Sequence, residues 1–150
     1  MILGFKTTFP WGEATGFIDK ILACVYPSKY IPKRHTIRTG QRWKAGDWLH
    51  MATGVRTAKY QQFNKGVYEL AKCRATQRFD LTYRNRDVVA LYIDKKLKYC
   101  KNRDHVFEVT PGWMDQFAKN DGFNDAEHFF KWFTGSVRNG QVIHWTDLKY

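Results

Sequence analysis

Between residues 66 and 110 the chain is a run of short, alternating apolar segments separated by turn residues, and this pattern restricts it to a β-rich architecture. "GVYELAKCRATQRFDLTY" is followed by "VVALYIDKKLKYC", which reads as a hairpin turning at Asp94 to Lys96, and then by "HVFEVT". "MILGF" at the N-terminus is a further short apolar strand, "KAGDWLHMATG" a turn and then a strand, and "GQVIHWTDL" a closing strand. Strand alternation in "RHTIR" sends Thr36 and Arg38 to one side and His35 and Ile37 to the other. Helical spacing is confined to three places. Phe17, Ile21 and either Leu22 or Cys24 share a face in "GEATGFIDKILACVY", which Pro27 closes; the loop over residues 26 to 34 is held off the α region by Pro27 and Pro32. "GWMDQFAKND" is a short helix stopping near Gly122. In "NDAEHFFKWF", Asn124 stands three residues before Glu127, a capping-box arrangement, with Ala126, Phe129, Phe130 and Phe133 as the buried stripe. With no repeat, low-complexity tract or flexible linker, residues 1 to 150 are expected to form one α+β domain, a small, partly closed β-barrel decorated by short helices.

The hydrophobic share of 43% and aromatic share of 17% are enough for a real core in 150 residues, which sets disorder aside. Lys and Arg outnumber Asp and Glu by 25 to 14, for a net charge of +11, and this excess favours a polyanionic partner, nucleic acid above all. The plainer alternative is a solvated basic surface. Cys24, Cys73 and Cys100 are odd in number and widely spaced, which fits neither a disulfide framework nor a metal site. The five histidines form no HxH or HxxxH pair, so neither a metal nor another cofactor is expected. No N-terminal run has signal-peptide length and no window approaches a membrane span, so a cytoplasmic protein without membrane contact is expected; the sequence leaves the oligomeric state open, with a monomer favoured.

Charge concentrates in "PKRHTIRTGQRWKAGDWLHMATGVR", residues 32 to 56, where Lys33, Arg34, Arg38, Arg42, Lys44 and Arg56 face a single acidic residue, Asp47. Lys33, Thr36 and Arg38 lie within six residues. A threonine hydroxyl is a weak nucleophile until a base takes its proton, and a desolvated lysine can be that base. Arg38 can hold a carbonyl oxygen or phosphate through its planar fork. Against this, KxxTxR arises easily by chance, and threonine in a strand is usually just a β-former. Trp43 and Trp48, in the glycine-containing basic loop "TGQRWKAGDW", are candidates for base stacking or ligand contact. Phe129, Phe130, Trp132 and Phe133, at helical spacing, read as core instead, and His35 and His144 as structural histidines.

"PKRHTIR", "RWKAGDWLHMATGVR", "NDGFNDAEHFFKWF" and "QVIHWTDL" together resemble the ASCH domain family, a branch of the PUA-like β-barrels, over most of the chain. The resemblance implies a small barrel whose cleft faces RNA or a modified nucleoside. Some members hydrolyse N4-acetylcytidine to cytidine, and another is described as a ribonuclease. The amidohydrolase members carry a Lys, a Thr three residues on and an Arg two beyond that, which fall on Lys33, Thr36 and Arg38. They also place a Glu before the late helix, where Asp121 of "NDGF" stands here, one methylene shorter. The strands expected around residues 76 to 104 exceed the minimal amidohydrolase and allow a larger or different substrate.

The leading expectation is an RNA- or modified-nucleoside-binding domain that hydrolyses an acyl-amide on a pyrimidine. Thr36 would be nucleophile, Lys33 its base, Asp121 the proton relay, and Arg38 the carbonyl holder. Arg34, Arg42, Trp43, Lys44, Trp48 and Arg56 would join Arg38 in binding. A non-enzymatic binding module and a metal-independent ribonuclease are the alternatives.

Overall fold

The computed structural model describes residues 1–84 and 88–150, with the side chain of residue 88 also left aside. The elements run β1 (Ile2–Gly4), α1 (Phe17–Leu22), β2 (His35–Thr39), β3 (His50–Thr53), β4 (Gln61–Gln62), β5 (Ala75–Arg84), β6 (Val88–Ile93), β7 (Lys96–Lys101), β8 (Val106–Glu108), α2 (Trp113–Asn120), α3 (Ala126–Trp132) and β9 (Val137–His144). The fold is α+β, and all its strand pairings except β1 with β3 are antiparallel.

Two sheets divide the strands. One has the order β1-β3-β4, the other β2-β9-β5-β6-β7-β8. Among the described residues neither closes on itself, so the expected barrel is corrected to two open sheets. At the β1 and β2 edges, a side chain stands where a ladder would run: Arg38 Nη2 donates to the Gly4 carbonyl at 2.5 Å. Both edges line a cavity, and a backbone ladder between them would fill that space.

The long β5–β6–β7 meander follows the alternation of its sequence. In β5, Ala75, Gln77, Phe79 and Leu81 are buried, and the residues between them are partly exposed. Asp94 and Lys95 both take positive φ, 49° and 65°, as a two-residue primed hairpin turn requires. Of the strands expected over residues 76 to 104, residues 85 to 87 lie outside the described residues. "GVYELAKC" is not strand. Tyr68–Leu70 forms a single 3-10 turn, because the buried Asn64 amide donates to the Leu49 and Leu70 carbonyls and holds the segment as a loop.

Strand β2 is covered on both faces, with His35, Thr36 and Ile37 all buried. It pairs with β9 so that His35 faces His144 and Thr36 faces Ile143. Helices α2 and α3 pack Phe117 and Phe129 into the core beside Phe79 and Phe123. The α3 cap is Asp125, not Asn124: the Asp125 carboxylate accepts from the His128 N–H at 2.8 Å, and His128 Nδ1 accepts from the Asn124 N–H at 3.2 Å. His128 occupies the third helical position that the Glu127 pattern pointed to, shifted by one residue.

Candidate functional site

The first residues of the site come from the end of the 26–34 loop and from β2. The Lys33 N–H donates to the Lys20 carbonyl, and the Arg34 N–H to the Asn120 carbonyl, so this loop is tied to both α1 and α2. The Lys33 carbonyl accepts from Trp145 Nε1 at 3.1 Å and from Cys24 Sγ at 3.1 Å. With its backbone pinned on both sides, the Lys33 side chain runs inward and is 1% exposed.

Asp121 arrives from the opposite end of the chain, at the C-terminus of α2. Lys33 Nζ donates to Asp121 Oδ1 at 2.5 Å and also to the Asp121 backbone carbonyl. That carbonyl belongs to the negative end of a helix, where a cation is favoured. Gly122 makes this approach possible. It takes φ +91°, and a Cβ there would stand 2.9 Å from both Lys33 Cδ and the Phe17 ring. The Gly122 carbonyl accepts from Lys20 Nζ at 2.6 Å, bringing a second lysine to the same corner. Aspartate therefore meets the lysine despite its shorter side chain, because the helix end delivers its backbone close by.

Thr36 and Arg38 share a strand face as their alternation requires. Arg38 Nη1 donates to Thr36 Oγ1 at 2.9 Å and to the Ile37 carbonyl at 2.8 Å, while Nη2 is committed to Gly4. The guanidinium lies over the Phe5 ring at 5.3 Å, and Lys33 Nζ over Phe17 at 4.6 Å. Since Thr36 Oγ1 accepts from Arg38, its own hydrogen is left to be donated elsewhere.

Lys33, Thr36, Arg38 and Asp121 line one cavity of about 250 Å³. Its remaining wall is largely aromatic, built from Phe5, Phe17, Phe123, Trp132 and Phe133. Burial dominates its electrostatics. It lowers Lys33 to about 8, with Arg38 and Lys20 pushing the same way and Asp121 opposing. Burial also raises the Asp121 carboxyl above its ordinary range, against the pull of Lys33 and Arg38. Acid and base thus move toward each other.

The other expected binding residues are elsewhere. Trp43 is 4% exposed and part of the core, its backbone exchanging hydrogen bonds with the buried Gln141 amide, so it offers no face for stacking. A basic, glycine-containing sequence pointed to a surface loop, and the β9 amide turns that loop inward. Trp48 is 55% exposed but stands apart from the cavity, with Lys72 Nζ 5.0 Å above its ring. Arg34 opens on a different hollow with Cys24 and Thr146. Arg42, Lys44 and Arg56 are exposed and do not line the cavity. The basic stretch is therefore not one wall: only Lys33, Thr36, Ile37 and Arg38 of it line the cavity.

The cavity takes part of its aromatic wall from residues read from sequence as core. Trp132 and Phe133 are partly exposed and line the cavity, whereas Phe129 is fully buried. For Trp132 the signal was that it falls off the 126–129–133 stripe; Phe133 lies on that stripe and carried none. Lys6 also lines the cavity and was missed, since nothing around it in "GFKTTF" marks it.

Among the described residues, no group of three or more His, Cys, Asp or Glu side chains could hold a metal ion, and no helix is long and apolar enough to cross a membrane. No protein-family model, curated protein or solved structure matches the chain.

Proposed function

We propose that this cavity binds a modified pyrimidine nucleoside and hydrolyses its exocyclic acyl-amide, with N4-acetylcytidine as the type substrate, in a domain of ASCH type whose two sheets form an opened PUA-like barrel. The observation that carries the proposal is the buried Lys33–Asp121 pair, 2.5 Å apart, in the same cavity as a threonine hydroxyl already held by a guanidinium. A purely structural ion pair would be expected to sit in packed core, with no cavity beside it.

In this account Lys33 acts in its neutral form: its amine accepts the Thr36 proton as Oγ1 attacks the acyl carbon, and passes that proton on to Asp121. Arg38 orients Oγ1 through its hydrogen bond, and its guanidinium charge favours the negative charge that develops on the acyl oxygen as the carbon becomes tetrahedral. The Asp121 carboxyl then protonates the departing exocyclic amine, releasing cytidine and leaving an acyl ester on Thr36. Water, deprotonated by the Lys33–Asp121 pair, hydrolyses that ester to the carboxylate and restores the hydroxyl. Aromatic walls on several sides suit a flat heterocycle and exclude water from the proton transfers.

Incubating the protein in parallel with N4-acetylcytidine and with bulk RNA, followed by chromatography, tests the proposal. Free cytidine with intact RNA supports it. Shortened RNA would favour a metal-independent ribonuclease, and unchanged substrates with measurable binding would leave a non-enzymatic binding module.

A further inference from the structure

The reaction cavity does not end at Lys6. A second cavity, of about 370 Å³, is lined by Gly4, Phe5, Lys6, Thr7, Gly54, Val55 and Thr57, and shares its first three residues with the reaction cavity. The two hollows are therefore neighbours across one short stretch of β1 and the residues after it, and Lys6 lines both. No carboxylate lines the second cavity.

Its far wall is formed by Gly54, Val55 and Thr57, from a loop that runs on to Lys59. Gly54 takes φ +59°, and a Cβ there would fall 2.3 Å from the Lys59 carbonyl oxygen. Arg56 also sits in the left-handed region, at φ 66°, which is sparsely populated for a residue with a long side chain. Thr57 Oγ1 stitches the loop, donating to the Gly54 carbonyl at 2.7 Å and accepting from the Lys59 N–H at 3.1 Å. Among the described residues, the side chains of Lys6, Arg56 and Lys59 carry no hydrogen bond or ion pair, and all three residues are exposed.

A cavity beside a heterocycle pocket, lined by a free lysine and two threonines and by no carboxylate, with two more free cations on the adjoining loop outside its lining, has the chemistry to receive a phosphate. We propose that the protein takes its pyrimidine as a nucleoside monophosphate, with the base in the reaction cavity and the phosphate in the second cavity over Lys6, against the Gly54–Lys59 loop. This rests on the proposed function for the base's place, and it adds a substrate class: a phosphorylated nucleotide, bound more tightly than the free nucleoside. The base in one hollow and the phosphate in the next would span the shared wall as the ribose does between them.

Equilibrium binding of the reaction product tests this without relying on turnover. Titration calorimetry compares cytidine, cytidine 5′-monophosphate and cytidine 3′-monophosphate, on the wild-type protein and on Lys6→Ala, at low and high salt. At low salt, one monophosphate is expected to bind at least about tenfold more tightly than cytidine, the effect of one close charge pair. That advantage should shrink as salt rises and fall toward unity in Lys6→Ala. Equal binding of cytidine and both monophosphates overturns the proposal, as does binding of none of them, or an advantage that survives Lys6→Ala. Failure of acyl-amide hydrolysis together with a monophosphate advantage would remove the reaction and keep the nucleotide site; hydrolysis without that advantage would do the reverse.

Discussion

Lys33 Nζ and Asp121 Oδ1, 88 residues apart in the chain, meet at 2.5 Å with side chains 1% and 3% exposed. Removing one member of a buried pair commonly costs about 3–5 kcal/mol, because the other charge is stranded. Here the stranded partner has an escape, since a lysine already lowered to about 8 can lose its proton. Asp121→Asn is therefore expected to remain folded and to keep most of its ligand affinity, while kcat falls about 10²-fold or more, the usual scale for a lost acid–base group. Steady-state kinetics alongside a thermal melt checks both halves.

The pH dependence of turnover follows from the same pair. The base form of Lys33 is neutral, and with the group lowered to about 8 only about a tenth of it is neutral at pH 7. The kcat/KM of the wild-type protein is expected to rise with pH and level off above about 8. In Asp121→Asn the residual activity should level off at lower pH, because the charge that opposes deprotonation is gone. A flat profile from pH 6 to 9 would remove Lys33 as the base.

Trp132 and Trp43 exchange the roles that their sequence surroundings suggest. Trp132→Ala should weaken nucleoside binding by about 1–3 kcal/mol, the scale of a lost stacking partner, with little change in melting temperature. Trp43→Ala should instead melt early, losing about 3–5 kcal/mol of core packing. Affinity and melting temperature measured on both variants distinguish the two outcomes. A Trp132→Ala protein that binds as well as wild type would show that this ring is only packing.

These two tryptophans also show where a sequence stops being informative. Periodicity was enough for the α+β class, the hairpin at Asp94 and Lys95, and the shared strand face of Thr36 and Arg38, because each depends on neighbours within a few residues. Whether a tryptophan faces core or cavity depends on partners about a hundred residues away, as Gln141 does for Trp43. The Lys33–Asp121 contact was legible only through family resemblance, and the features that enable it, the α2 terminus and Gly122, are tertiary. Barrel closure was overcalled for the same reason, since short alternating strands look alike whether a sheet closes or stops at a cavity. The basic run from residue 32 to 56 looked like one surface, yet strand and loop scatter its charges to separate places.

His35 and His144 face one another across β2 and β9, both fully buried, with rings 5.4 Å apart. The Tyr150 hydroxyl, 3.1 Å from His35 Nδ1, takes a hydrogen bond from Asn120, and Phe117 packs on the His35 ring. Burial, with Lys149 adding to it, lowers His144 to about 4, and burial, with His144 and Lys33 adding to it, lowers His35 well below the ordinary histidine range. The unfolded chain therefore binds protons below about pH 6.5 that the folded protein refuses, and stability falls as pH drops from there toward 4. The drop from 6.5 to about 4 at His144 corresponds to about 3 kcal/mol by pH 4. Denaturant melts of the wild-type protein and of His144→Gln between pH 4 and 7 measure it, with the shallower slope expected for the variant.

The most direct test of the account is the release of cytidine from N4-acetylcytidine by wild-type protein and by Thr36→Ala, each first shown to bind the nucleoside. The account predicts steady formation of free cytidine by the wild-type protein and none above background by the variant, at comparable affinity. Cytidine formed equally by both, or by neither despite binding, would contradict a nucleophilic Thr36 served by the Lys33–Asp121 pair.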